Sequence, residues 1–396
     1  MRRPCAAASA FSQCAALSAA QKAQAGGANL VNYLRGQRGL EDRPGNAERL
    51  YRQRDRLLGA PINAQPLHVG PPAFRYADAN YASFRDDVAA RRKRMVYLAA
   101  NDGMLHAFDA LSGDEQWAFI PAGVLPQLAR SADVGFAGSF RYLLDGAPVA
   151  SDICPSAPAS PCTSQAWRTI LVGGLGAAGR EYYALDITDP ERPAYLWRFS
   201  VTDDSDLGYA LGQPVIAKRP DGRWVVALAS GYNNVNPGSG RGVLFILDAA
   251  SGQLLERIDT GAGRSEVPAG LAQLNAWIDN VLDNTTGRLY GGDLLGNVWR
   301  FDLGGSPQSA SSRAVLFAQL ISNGVAQPVT TRPELSLVRA GSQSIPVVTV
   351  GTGRYLGVSD AQDKSVQSVY TMRDNLMSTG LGDVRRSPNL VRQQLS

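Results

Sequence analysis

Histidine is almost missing from this chain, with two residues, His68 and His106, among 396. A catalytic histidine needs an oriented partner, and neither lies beside a serine or cysteine at a recognisable nucleophile elbow. Both therefore read as core or edge residues of strands, and hydrolase chemistry of that type is disfavoured. Lysine is scarce too, at four of 39 positive residues. No apolar run reaches 18 residues, which excludes a transmembrane helix. The formal charge of +4 is concentrated at one end: residues 1–58 hold ten Lys/Arg against four Asp/Glu, leaving 29 against 31 in residues 59–396. The bulk of the protein is therefore not a basic face for nucleic acid. With 44% hydrophobic and 19% charged residues the chain is globular rather than disordered.

Cysteine is limited to Cys5, Cys14, Cys154 and Cys162. The last two are eight apart in the loop CPSAPASPC, with no His or second Cys pair nearby, so zinc is poorly supported. A local disulfide fits the loop and implies an oxidising compartment; two free surface thiols are the alternative. The sequence assigns no pairing to Cys5 and Cys14. The opening MRRPCAAASAFSQCAALSAA has two arginines before an Ala-rich stretch. Ser, Gln and Cys interrupt that stretch, so it makes a poor signal peptide. An amphipathic helix running toward Asn29–Leu34 suits it better. Residues 1–58 are expected to be a short helical and irregular leader.

Glycine (41) and proline (23) are abundant, and the apolar segments between them repeat. The unit is an apolar strand, a Gly/Asn/Asp turn, a strand ending in Asp, a second turn and an aromatic. Copies align on Asp109, Asp186, Asp248 and Asp302, with a weaker fifth at Asp374. A second pattern precedes each copy and aligns Pro66, Pro148, Pro214 and Pro333, with Leu274 in the fourth place. At least five units follow, each with three or four short strands. A small four-stranded sheet cannot bury both faces alone, so copies stack radially. The fold class is all-β, a β-propeller over residues 59–396. Recurrent Trp117, Trp197 and Trp299 are expected near blade ends, filling space between sheets. Gly173-Gly174-Leu175-Gly176 has no helix after it to cradle phosphate. Arg91-Arg92-Lys93-Arg94 reads as a solvated loop, with an acidic partner surface as the alternative.

The segments NYLRG (32–36), MVYLAANDGMLHAFDALSG (95–113), WAFIPAGVLPQL (117–128), WRTILVGGLGAAGR (167–180), YYALDITDP (182–190), GRWVVALASGYNN (222–234), YGGDLLGNVWRFDL (290–303) and VGTGRYLG (350–357) occur in a recognisable order. Together they resemble the C-terminal β-propeller domain of the type IV pilus tip-associated biogenesis proteins and adhesins, the PilY family. The resemblance implies a modified, quinoprotein-dehydrogenase-like propeller of about seven blades and no enzymatic activity. It implies roles in pilus biogenesis, control of extension and retraction, surface adhesion and twitching motility. The implied partners are minor pilins, the pilus tip complex and a host or abiotic surface receptor. The implied location is extracellular or at the cell surface, reached through the periplasm. Family members carry a long region ahead of this domain and a further blade or so behind it, so a truncated or split member is expected.

The resemblance also implies a calcium loop, Asp-x-Asp-x-Asp-x-x-x-Asp, before the Gly-Asp-Leu strand. Here the stretch is IDNVLDNTTGRLYGGD (278–293). Asp279 and Asp283 occupy the first and third acidic positions, while Val281 and Gly287 replace the other two. Thr285 offers a main-chain carbonyl, and Asn280 or Asn284 a side-chain oxygen. That charge count suits a weak or lost Ca²⁺ site, because affinity follows ligand charge. An Asx-rich turn is the competing reading. Two other functions compete: a pyrroloquinoline-quinone dehydrogenase, whose adjacent cysteines and convergent acids are not visible, and a generic protein-binding scaffold.

Overall fold

The computed structural model describes residues 4–5, 11–155, 160–304, 313–341 and 343–393. The Arg2-Arg3 start with most of its Ala-rich stretch, the interior of the Cys154–Cys162 loop and the last three residues lie outside the described set. Blade 1 comprises β1 (Leu67–Val69), β2 (Met95–Ala100), β3 (Met104–Asp109) and β4 (Glu115–Phe119), each antiparallel to the next. Blade 2 follows with β5 (Val149–Ile153), β6 (Arg168–Gly174), β7 (Glu181–Asp186) and β8 (Ala194–Ser200). Blade 3 holds β9 (Val215–Lys218), β10 (Trp224–Ala229), β11 (Val243–Asp248) and β12 (Leu254–Asp259). Blade 4 holds β13 (Leu274–Asn280), β14 (Thr285–Gly292), β15 (Asn297–Asp302) and β16 (Ala314–Gln319). A short hairpin, β17 (Ile321–Ser322) with β18 (Val325–Ala326), leads to blade 5, in which β19 (Glu334–Ala340), β20 (Gln343–Gly351) and β21 (Val369–Arg373) pair.

The repeat residues punctuate these sheets. Four of the aligned aspartates end the third strand of blades 1 to 4, and Asp374 directly follows that of blade 5. Asp109 accepts the Leu111 and Ser112 amides (2.8 and 3.2 Å), Asp248 those of Ala250 and Ser251 (3.1 and 3.0 Å), and Asp374 that of Leu376 (2.7 Å). They are Asx turns that reverse the chain. Each aligned proline directly precedes a first strand, where its missing N–H costs no ladder bond.

Strand periodicity explains the radial stacking. All six residues of β10 are buried, yet they serve two different cores. One side of the strand, Trp224, Val226 and Leu228, faces blade 2, packing with Ile170, Val172 and Phe199, while Val225, Ala227 and Ala229 pack toward blade 4 with Leu289 and Phe301. Equivalent cores join blades 1 and 2 and blades 4 and 5. Each fully buried Leu, Val or Phe contributes about 1.5–3 kcal/mol. The first strands stand side by side, β1 by β5, β5 by β9, β9 by β13 and β13 by β19, so they line the inside of the array.

Polar clasps reinforce the joints. The Trp117 indole donates to the Pro190 carbonyl (2.7 Å) and the Trp197 indole to that of Ala249 (2.9 Å), each reaching a turn of the next blade. Trp299 departs from this scheme: it sits in a third strand and donates to Asp293 (2.9 Å) in its own blade. The basic run is likewise more than a solvated loop. Arg92 donates to Gly70 O (2.8 Å) and to Thr169 of blade 2, and Lys93 pairs with Asp109 (3.1 Å) and Glu191 (3.3 Å).

The described part of the leader has a 3-10 turn at Ser12–Ala15 and the helices α1 (Ala19–Gln24) and α2 (Gly27–Leu34), followed by irregular chain. A Ser18/Gln21 capping box starts α1. Leu30 and Tyr33 of α2 pack with Phe11, Leu50, Tyr51 and Ala132, seating the leader on the segment that follows blade 1. Cys154–Cys162 form the expected disulfide, and Cys5 pairs with Cys14, which the sequence left open.

Candidate functional site

The residues just before the five first strands converge. Gln65, Ala147, Gln213, Gln273 and Arg332, one from each blade, line a single cavity of about 450 Å³ on the inner side of the array. Glycine makes the approach possible: a side chain at Gly212 would strike the Ala272 carbonyl of the neighbouring loop. Arg332 donates to Asn275 Oδ1 (2.8 Å) and Gln273 to Leu211 O (3.3 Å). The one carboxylate in the lining, Asp145, is buried and accepts from Asn63 N (3.0 Å), from the Asn63 amide and from Asn101 Nδ2 (3.3 Å). Among the described lining residues there is no His, Cys, Ser or Lys. The cavity offers side-chain amides, the hydroxyl-bearing Thr330, Tyr232 and Tyr355, and one guanidinium for recognition. Sequence reading passed over these residues, although their signal was present as the position preceding each aligned proline and, in the fourth unit, Leu274.

His106 is buried in β3, with Nδ1 at 2.7 Å from Glu115 Oε1 and Nε2 at 3.1 Å from Asp102 Oδ1. Burial pushes its pKa down, but the two carboxylates outweigh burial and hold it above the ordinary value. His68 lies exposed on β1. The two histidines are therefore a core residue and an edge residue.

Asp279, Asp283 and Thr285 all belong to the β13–β14 hairpin, but they point to separate partners. Asp279 lies within β13 and accepts from Gly287 N (2.7 Å) and Arg288 Nη2 (2.8 Å). Asp283 accepts from Thr285 N (3.0 Å) and pairs with Lys218 Nζ (3.2 Å) of blade 3. Burial pushes the Asp283 carboxyl up, but hydrogen bonds from Thr285 and Lys218 outweigh it and leave it below the usual carboxylate range. Thr285 pairs through its main chain with Asn280 and makes a single parallel bridge to Lys218. Asn280 Oδ1 accepts from Leu282 N (3.0 Å). Among the described residues no group of three or more His, Cys, Asp or Glu is placed to hold a metal ion. Lys218 and Asp78, which join this cluster from other parts of the chain, were invisible to the sequence motif.

A sequence profile described as the PilY1 beta-propeller domain matches residues 58–395. The type IV pilus biogenesis factor PilY1 of Pseudomonas aeruginosa strain UCBPP-PA14 is 33% identical over 85% of this chain. A PilY1 homolog of Xylella fastidiosa strain Temecula1 is 36% identical over 88% of it. The chain spans only 30% and 27% of those two proteins. The crystal structure of the P. aeruginosa PilY1 C-terminal domain superposes with a TM-score of 0.64 at 31% identity, covering 80% of this chain and 66% of that one. With its blades lying inside the matched span, this chain belongs to the PilY1 beta-propeller domain family.

Proposed function

We propose that this chain is the propeller of a type IV pilus biogenesis factor and acts by binding rather than catalysis. The observation that carries the reading is the family match over 58–395, which encloses the five blades formed by the described residues. Two disulfides suit an oxidising compartment outside the cytoplasm. A rigid array presents its turns and insertions as a binding surface, the usual place for recognition on such a scaffold. The proposed partners are minor pilins of the tip complex and, through the same surface, a host or abiotic receptor. The amide-lined axial cavity supports a recognition role.

The test is deletion of the gene in its own bacterium. The expected result is loss of surface pili by electron microscopy and loss of twitching, both restored by the wild-type gene. Unchanged piliation and motility would refute the assignment. Co-purification of minor pilins with the tagged protein checks the partner class separately.

A further inference from the structure

We propose that Lys218 is a built-in cation that takes the place of a divalent ion at the β13–β14 hairpin, so that the joint between blades 3 and 4 is closed without metal. Three chain segments meet here. Ala77 N donates to Leu282 O (2.6 Å), Lys218 N to Asn284 O (3.4 Å), and the Lys218 ammonium lies 2.8 Å from Asp78 Oδ1 and 3.2 Å from Asp283 Oδ2. The lysine side chain is only 7% exposed. A buried ammonium is stable only when paired, so its place between two carboxylates is a specific solution and not a surface accident.

The chemistry of the donor set does not fit calcium. That ion takes six to eight oxygens. The loop supplies two carboxylates, and all four of their oxygens already have partners: Arg288 and the Gly287 amide for Asp279, Lys218 and the Thr285 amide for Asp283. Val281 is 77% exposed and brings no oxygen from its side chain. At Gly287 a Cβ would collide with Asp279 Oδ2, so that position has no room for an acid while Asp279 stays as it is. A divalent ion would have to expel both Arg288, which also lies over the Trp277 ring at 5.6 Å, and the buried lysine. Asp78 Oδ2 is buried with no hydrogen-bond partner among the described residues, and two carboxylates against one ammonium leave Asp78, Asp283 and Lys218 with one negative charge in excess. That charge makes the lysine indispensable. The functional consequence is a hairpin that a fall in calcium cannot open.

The test uses the whole chain after treatment with a chelator. Millimolar Ca²⁺ should leave its melting temperature unchanged, and Tb³⁺ should give no saturable emission sensitised by the nearby Trp277. Lys218→Met should melt several degrees lower, and Asp78→Asn with Asp283→Asn in that background should recover part of the loss by removing the repulsion. A rise of several degrees with Ca²⁺, saturable micromolar Tb³⁺ emission, or a Lys218→Met protein melting like wild type would each overturn the proposal. The wild-type calcium and terbium measurements decide it even where Lys218→Met fails to fold.

Discussion

The joint between blades 2 and 3 can be broken from either side, and the two breaks should not add. Trp197 is buried at the end of blade 2, its indole donating to Ala249 O (2.9 Å), and its ring lies over Gly252 in the next blade's turn. Gly252 has φ +72°, and a Cβ there would enter the indole ring. Trp197→Ala removes the ring and leaves a cavity, at a cost of ~3–5 kcal/mol. Gly252→Ala pays about 1–2 kcal/mol for a left-handed alanine and about 1–3 kcal/mol for the collision. In the double variant the collision disappears, because the ring it would strike is gone. The two losses should therefore fall short of additivity by about 1–3 kcal/mol, well outside the ~0.5 kcal/mol scatter of independent sites. Urea unfolding of the four proteins, followed by circular dichroism, measures the cycle. Additive losses would refute the packing of this joint.

Further substitutions probe a pairing inside blade 1 and the joint between blades 4 and 5. His106→Gln should cost stability in a pH-dependent way: the folded pKa is raised, so the imidazolium's contribution is full below the unfolded value of ~6.5 and fades as pH rises through the folded one. Urea midpoints should show a larger loss at about pH 5.5 than at about pH 8.5, and the reverse order would contradict the Asp102–His106–Glu115 pairing. Between blades 4 and 5, Arg300 and Asp374 are both nearly fully buried at 3.0 Å, with Tyr290 donating to Asp374 (2.6 Å). Asp374→Ala should cost about 3–5 kcal/mol, against less than about 1 kcal/mol for Asp302→Ala, whose carboxylate is 37% exposed. Equal losses would show that Asp374 serves only its turn.

Features set by local chemistry were legible in the sequence. Asp109, Asp248 and Asp374 could be placed because an Asx turn needs only the amides two and three residues on, and the prolines because a strand's first residue tolerates a missing donor. The Cys154–Cys162 bridge was legible for the same reason, its partners being eight apart. Features set by long-range packing were not. Trp299 shares the aromatic rhythm of Trp117 and Trp197, yet it lies one strand earlier, where the carboxylate of Asp293 draws its indole inward. Arg92 and Lys93 looked like a solvated run because Thr169 and Glu191 reach them from another blade. At the hairpin, spacing located Asp279 and Asp283 but could not reveal Lys218, which arrives from blade 3 and decides what those carboxylates hold.

The most direct measurement is the distance between the first and fifth blades. All four native cysteines are in disulfides, so spin labels would attach only at Gln65→Cys and Arg332→Cys. Both positions line the axial cavity, and an electron spin–spin distance below about 25 Å is expected, label linkers included. Packed sheets lie ~10 Å apart, so blades stacked in an open row would place these sites ~40 Å apart, and a distance of that size would contradict the propeller.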